Sequence, residues 1–163
     1  MATLKLGSAH IAIVVKNIDK ALKFYSKAFG IKFEEVQQYD LPLPGHPDLV
    51  YRGKPSKYTM KVTFGQMGPV RVEMVQVVQG KCIYTDFLDK KGEGIQHLGF
   101  DVDDLEKEVI NAKSQGLKMI SHLKMFGIMA FAYFDPKETN GVTIELVQKD
   151  VQERLMKKLA EGG

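Results

Sequence analysis

The chain has 163 residues, 44% of them hydrophobic and 26% charged, an ordinary globular composition long enough to bury a core. Its net charge of +3 comes with dispersed lysines, which gives nucleic acid no basic patch to bind, and no stretch approaches the roughly 20 apolar residues that span a bilayer. A lone cysteine, Cys82, excludes an internal disulfide and reads as an incidental thiol, and with no apolar leader the expected setting is the cytoplasm.

His10 to Val15 reads as a strand with Ile11, Ile13 and Val15 on one face and His10, Ala12 and Val14 on the other. Asn17 is the expected N-cap of a helix whose apolar stripe is Ile18, Ala21, Leu22, Tyr25, Ala28 and Phe29, and Gly30 ends it. Ile31 to Gln38 is expected to be the next strand. The proline- and glycine-rich segment from Leu41 to Lys57 is expected to be an inserted loop without regular structure. Tyr58 to Phe64 and Val70 to Val78 read as a hairpin, completing a β-α-β-β-β series.

Ile83 to Lys91 reads as a linking helix broken by Gly92-Glu93-Gly94. A second series then begins with a strand from Gln96 to Val102. Its helix is expected to open at Asp103, with Glu106 at capping-box spacing, to bury Leu105, Val109 and Ala112, and to stop at Gly116. Leu117 to His122, Ile128 to Phe134 and Val142 to Gln148 are the following strands, with a turn over 135–141. The apolar run from Met125 to Phe134 is assigned to the core. Val151, Leu155 and Leu159 recur at i, i+4, i+8 with Glu153 and Lys157 as an exposed pair, so the tail reads as an amphipathic helix over about 150–160, packed outside a sheet.

The two series are copies of one unit. Val70-Arg71-Val72-Glu73-Met74-Val75-Gln76 and Val142-Thr143-Ile144-Glu145-Leu146-Val147-Gln148 are one strand written twice, and His10-Ile11-Ala12-Ile13-Val14-Val15 matches His97-Leu98-Gly99-Phe100-Asp101-Val102. His10 and Glu73 lie 63 residues apart and His97 and Glu145 lie 48 apart, so the first module is longer by 15 residues, in accord with the inserted loop. The expected organisation is one domain over 1–163, with module 1 over about 7–80, module 2 over about 95–149 and the C-terminal helix after it.

Alternation places Val72, Met74, Ile144 and Leu146 on one face and Glu73 and Glu145 on the other. A carboxylate inside an apolar strand is costly unless it is paired, hydrogen-bonded or metal-bound. Taken singly, each histidine reads as a satisfied polar residue and each glutamate as a group facing water. Taken as a repeat, His10, Glu73, His97 and Glu145 make a nitrogen-and-oxygen set suited to one divalent metal, with positions left open for water or substrate oxygens. Ala12 and Gly99, two residues past each histidine, leave room for a ligand.

The module order, Phe24-Tyr25 with Gly30, Phe87-Leu88 with the stretch from Gly92 to His97, and Phe134-Asp135-Pro136-Lys137 with the stretch from Gly141 to Leu146 together resemble the vicinal oxygen chelate (glyoxalase/bleomycin resistance/dioxygenase) superfamily. Within it the likeness is greatest to methylmalonyl-CoA epimerases, then to glyoxalase I. The resemblance implies an α+β fold of two paired βαβββ modules forming a cupped mixed sheet. It also implies metal ligation by His10, Glu73, His97 and Glu145. The implied cofactor is a divalent ion such as Co, Ni, Zn, Mn or Mg, and the implied chemistry is proton transfer alpha to a thioester carbonyl. Glu145 is then the first candidate for general base and Glu73 the second. Gln96 stands where such epimerases often carry a second histidine, and Lys61 and Thr63 stand where a further acid/base carboxylate is expected.

The implied partner is a small molecule, a CoA thioester or a glutathione adduct, with Lys54, Lys57, Lys61, Arg52 and Arg71 as candidate phosphate contacts, and a homodimer follows by analogy. Alternative readings are a lactoylglutathione lyase and a non-catalytic binding or resistance protein. An iron dioxygenase would use His10, His97 and Glu145 alone, and Glu73 argues against it.

Overall fold

The structure, a computed structural model, describes residues 3–46 and 48–160, without the side chain of Leu159. In chain order the elements are β1 (Ala9–Val14), α1 (Ile18–Phe29), β2 (Gln37–Leu41), β3 (Asp48–Tyr51), β4 (Lys54–Pro55), β5 (Tyr58–Met67), β6 (Val70–Gly80), α2 (Ile83–Lys91), β7 (Gly94–Val102), α3 (Leu105–Ser114), β8 (Met119–Met125), β9 (Ile128–Phe134), β10 (Thr143–Gln148) and α4 (Val151–Ala160). The expected α+β class is present; the second series runs β-α-β-β-β, and the first does so with the inserted β3 and β4 between its β2 and β5. Two compact units emerge, one of residues 9–41 and 57–98, the other of residues up to 8, 42–56 and 99 onward.

In the first unit the strands lie in the order β2-β5-β6-β1, with β1 parallel to β6 and the other pairs antiparallel. Ile13, Val15, Val72 and Met74 pack with Ile18 of α1, and each such side chain contributes about 1.5–3 kcal/mol by leaving water. Helix α1 is fixed at its start by two bonds: Asn17 Oδ1 accepts from the Lys20 N–H at 2.9 Å, and Gln76 Oε1 accepts from the Ile18 N–H at 2.8 Å. Because strand side chains alternate, the opposite face carries His10, Ala12, Arg71, Glu73 and Phe64, with His10 opposite Arg71, and Ala12 and Phe64 both opposite Glu73. On β5, a Cβ added to Gly65 would lie 2.7 Å from the Phe33 ring, so only glycine admits that crossing.

In the second unit the order is β10-β9-β8-β3-β4, antiparallel throughout. Val102, Leu105, Val109, Ala112, Met129, Ala132, Phe134 and Leu146 form its core. The start of α3 is held as that of α1 is: Asp104 Oδ1 accepts from the Lys107 N–H at 3.1 Å, and Gln148 Oε1 accepts from the Leu105 N–H at 3.0 Å.

Several boundaries differ from expectation. The strand expected over Ile31 to Gln38 begins only at Gln37, and Phe33 makes an isolated bridge to Gly65. The insertion is not irregular throughout. Asp48 to Tyr51 pair with the edge of β8, which offers free backbone groups, and β4 pairs back on β3. The N-cap of α3 is Asp104, not Asp103. The stripe of α1 fails at its last turn, where Ala28 and Phe29 are exposed and the Phe29 ring shelters against Phe24 and Tyr25 instead, at 6.0 and 5.7 Å. The apolar run divides: Met129, Ala130, Ala132, Tyr133 and Phe134 are buried, while Phe126 and Gly127 form the positive-φ turn between β8 and β9. Leu159, expected on the apolar side of α4, has its side chain outside the described residues.

Candidate metal centre

Three of the residues singled out by the repeat meet inside the first unit, delivered by β1, β6 and β7. His10 Nε2 lies 3.4 Å and His97 Nε2 3.3 Å from the same atom, Glu73 Oε2, and the two Nε2 atoms are 3.2 Å apart. All three residues are buried, His97 completely. The imidazole planes stand at 85° to one another. Aromatic neighbours set their orientation: Phe64 meets His10 edge to face at 6.1 Å, and Tyr84 of α2 lies against His97 at 6.2 Å.

The proton inventory decides what this triangle can hold. Gln96 Oε1 lies 2.8 Å from His97 Nδ1, and a carbonyl oxygen only accepts, so Nδ1 is the donor in this contact and Nε2 presents a lone pair whenever the ring is neutral. That lone pair faces a carboxylate oxygen and a second imidazole nitrogen. Such an assembly is stable only with positive charge among the three atoms, either a proton or a cation. Two nitrogens and a carboxylate oxygen are a borderline donor set of the kind that takes divalent metals, and an imidazole whose other nitrogen donates to an oxygen acceptor is the usual way of aiming such a ligand. The residues therefore fit a divalent ion. Cys82 plays no part, since it caps α2, bonds with Thr85 and has its thiol pushed up by burial.

Glu145 lies on β10 in the other unit, buried, opposite Tyr133 of β9. The two remaining histidines are elsewhere. The His46 ring sits 3.7 Å from that of Phe126, and His122 Nε2 lies 3.6 Å from Asp48, with burial pushing its pKa down. Of the five cations proposed for phosphate, Arg52 reaches toward Asp135 at 4.0 Å and Lys61 falls on the strand face opposite to Glu73, whereas Arg71 shares the face of Glu73. The roles of Gln76 and Gln148 as helix anchors were present in the sequence as a Glu-x-x-Gln pattern in both repeated strands; the role of Gln96 had no such signal.

The profile of the Glyoxalase/Bleomycin resistance protein/Dioxygenase superfamily matches residues 9–134. The chain belongs to this superfamily. Its relatives include mitochondrial methylmalonyl-CoA epimerase of Mus musculus, 28% identical over 148 residues, covering 88% of this chain and 74% of the relative. An uncharacterized protein of Bacillus subtilis, YqjC, is 28% identical over 141 residues, covering 85% and 89% of the two chains. Among solved structures, methylmalonyl-CoA epimerase of Mycobacterium tuberculosis superposes with a TM-score of 0.63 at 21% identity, covering 91% of each chain, a likeness of fold. The mixed-sheet α+β architecture is that of the superfamily.

Proposed function

We propose that this protein is a metal-dependent epimerase that moves a proton alpha to a thioester carbonyl, with a methylmalonyl-CoA-like substrate. The observation that carries the proposal is the buried triangle of His10, Glu73 and His97 with Nε2 of His97 held as a lone-pair donor. In this reading His10, Glu73 and His97 hold the ion and Glu145 is the fourth ligand, supported by its burial and by its position in the strand that repeats the Glu73 strand. A divalent ion of the Co, Ni, Zn, Mn or Mg type supplies Lewis-acid stabilisation of negative charge at a carbonyl oxygen.

The remaining work falls to the chain. Glu145 accepts the alpha proton as the C–H electron pair moves into the bond toward the carbonyl carbon, and the proton is then returned to carbon. Glu73, whose Oε2 is committed to both histidines, is the second candidate for that base. The small side chain of Ala12, in register with Glu73, leaves space for the acyl group. A cytoplasmic setting and a homodimer belong to the same reading. The single buried thiol of Cys82 supports the former, and no helix among the described residues is long and apolar enough to cross a membrane.

The test is incubation of the Co²⁺-loaded protein with (2R)- or (2S)-methylmalonyl-CoA in heavy water. Deuterium at C2 with interconversion of the epimers is the expected result. No exchange above the metal-only blank, together with conversion of a methylglyoxal–glutathione hemithioacetal to a lactoyl thioester, would replace the epimerase with a glyoxalase I-like lyase. Binding of ligands without turnover of either would leave a sequestering protein of the same fold.

A further inference from the structure

We propose that the outer side of α1 is a docking surface for an anionic lipid bilayer, with the rings of Phe24 and Phe29 entering the interface and Lys20, Lys23 and Lys27 meeting the headgroups. The surface is independent of the reaction. Helix α1 covers the Ile13 and Met74 face of its sheet, opposite to the face of His10 and Glu73, so docking there leaves the metal centre untouched.

Ile18, Ala21, Leu22 and Tyr25 supply the contacts of α1 with its core. Phe24 and Phe29 lie outside that packing, 59% and 61% exposed. With Tyr25 they form a cluster in which each ring meets the other two, at centroid distances of 5.5, 6.0 and 5.7 Å. Two phenylalanines left in water on a helix of 12 residues make an apolar patch that the fold does not use. The internal repeat is the control. With His10 set on His97, Phe24, Tyr25 and Phe29 fall on Asn111, Ala112 and Gly116, so the unit folds without aromatic residues at these places.

The patch is bordered by positive charge. Lys20 and Lys27 stand four residues before and three after Phe24 and flank it on the helix surface, and Lys23 continues the row. All three are exposed, and among the described residues none of them is in an ion pair. Asp19, in the first turn, is the only acid of the helix. Lys23 and Lys27 also have no counterpart in the repeat, where Ile110 and Ser114 stand.

Charge selects the occupant. A second copy docking by the same face would set one lysine row against the other, because a twofold contact brings identical patches together. The partner is therefore anionic as well as apolar. The rings stand on the ridge of a helix, not in a groove, so a partner's helix or strand has no channel to lie in. A bilayer interface receives protruding rings and sets a layer of negative charge against the lysines beside them. With 12 residues, α1 falls far short of the roughly 20 that span a bilayer, so it lies along the surface.

Sedimentation of the intact protein with vesicles tests this. Phosphatidylcholine vesicles containing about one-third phosphatidylserine should carry wild type down, pure phosphatidylcholine should not, and high salt should release the protein. Joint replacement Phe24→Ser and Phe29→Ser should weaken binding about 10- to 100-fold, and Lys23→Gln with Lys27→Gln about 10- to 30-fold, near fivefold for each lysine. Ile110→Ser, which removes an equally exposed apolar residue from α3, should bind as wild type does. Circular dichroism and Co²⁺ affinity are expected to be unchanged in every variant. Wild type that stays in the supernatant with anionic vesicles would overturn the proposal, as would binding that survives loss of both rings, since charge alone would then suffice. An equal loss in Ile110→Ser would overturn it by making the attraction unspecific to α1. A wild-type dimer in sedimentation equilibrium that the two serines convert to monomer would assign the face to a second copy instead.

Discussion

Strands β6 and β10 carry one sequence in two halves of the chain, and what each half does with it differs in an instructive way. The apolar positions serve the same purpose in both, Val72 and Met74 packing in one core and Leu146 in the other. The glutamine three places after the glutamate also serves the same purpose, Gln76 anchoring the start of α1 and Gln148 the start of α3. The positions beside the repeated histidines and glutamates have diverged. Arg71 is answered by Thr143, and Gln96, which fixes the His97 tautomer, is answered by Ala9 before His10. The repeat has kept the histidines, the glutamates and the glutamines that hold helix to strand, and has varied the residues beside them.

The sharpest way to break this comparison is to treat the two glutamates alike. Glu145→Gln is expected to lower proton exchange by about 10²- to 10⁴-fold, the worth of a general base, while retaining the metal. Glu73→Gln is expected to lose Co²⁺ affinity first. Rapid-quench measurement of exchange in parallel with calorimetry separates the two, and a reversed pattern would make Glu73 the base.

The two histidines come next. His10→Ala and His97→Ala should each weaken the single Co²⁺ equivalent by more than the about 10- to 100-fold that loss of an orienting partner costs, while Gln96→Leu should fall inside that range. Unchanged circular dichroism would certify the fold. Full wild-type affinity in Gln96→Leu would mean that Tyr84 and the backbone suffice to aim His97.

A smaller effect distinguishes the helix anchors. Gln148 is buried and its amide also donates to the Asp103 carbonyl and to Asp150, whereas Gln76 is half-buried. Urea unfolding should show a loss of about 2 kcal/mol for Gln148→Leu and about 1 kcal/mol for Gln76→Leu. Equal losses would indicate that the surrounding bonds of Gln148 add nothing.

The smallest effect is in pH. Donation from Gln148, then from Arg154, holds the Asp150 carboxyl below its ordinary 3.8. A depressed folded pKa contributes stability that is complete above 3.8 and is lost as pH falls through the folded value. Gln148→Leu should therefore raise the Asp150 pKa seen by NMR titration, and the stability gap to wild type should narrow as the solution is acidified below that range.

Most of the scaffold was legible in the sequence because it rests on local geometry. Period-two alternation put His10 and Glu73 on the face away from Ile13 and Met74, and the short polar side chain of Asn17 announced the start of α1, as did Gly30 its end. The repeat itself singled out His10, Glu73 and His97, and the fold brings those three within 3.2–3.4 Å. Tertiary structure decided whatever depends on a partner distant in the chain. The proline-rich insertion became strand at Asp48–Tyr51 because the edge of β8 was there to receive it. The last turn of α1 was left exposed, although its sequence reads as a continuing stripe. Gln96 came to hold the His97 tautomer although alternation would send neighbouring side chains apart, and Arg71 came to lie on Phe64, since a stack between strands is fixed by register and register is not written in either strand alone.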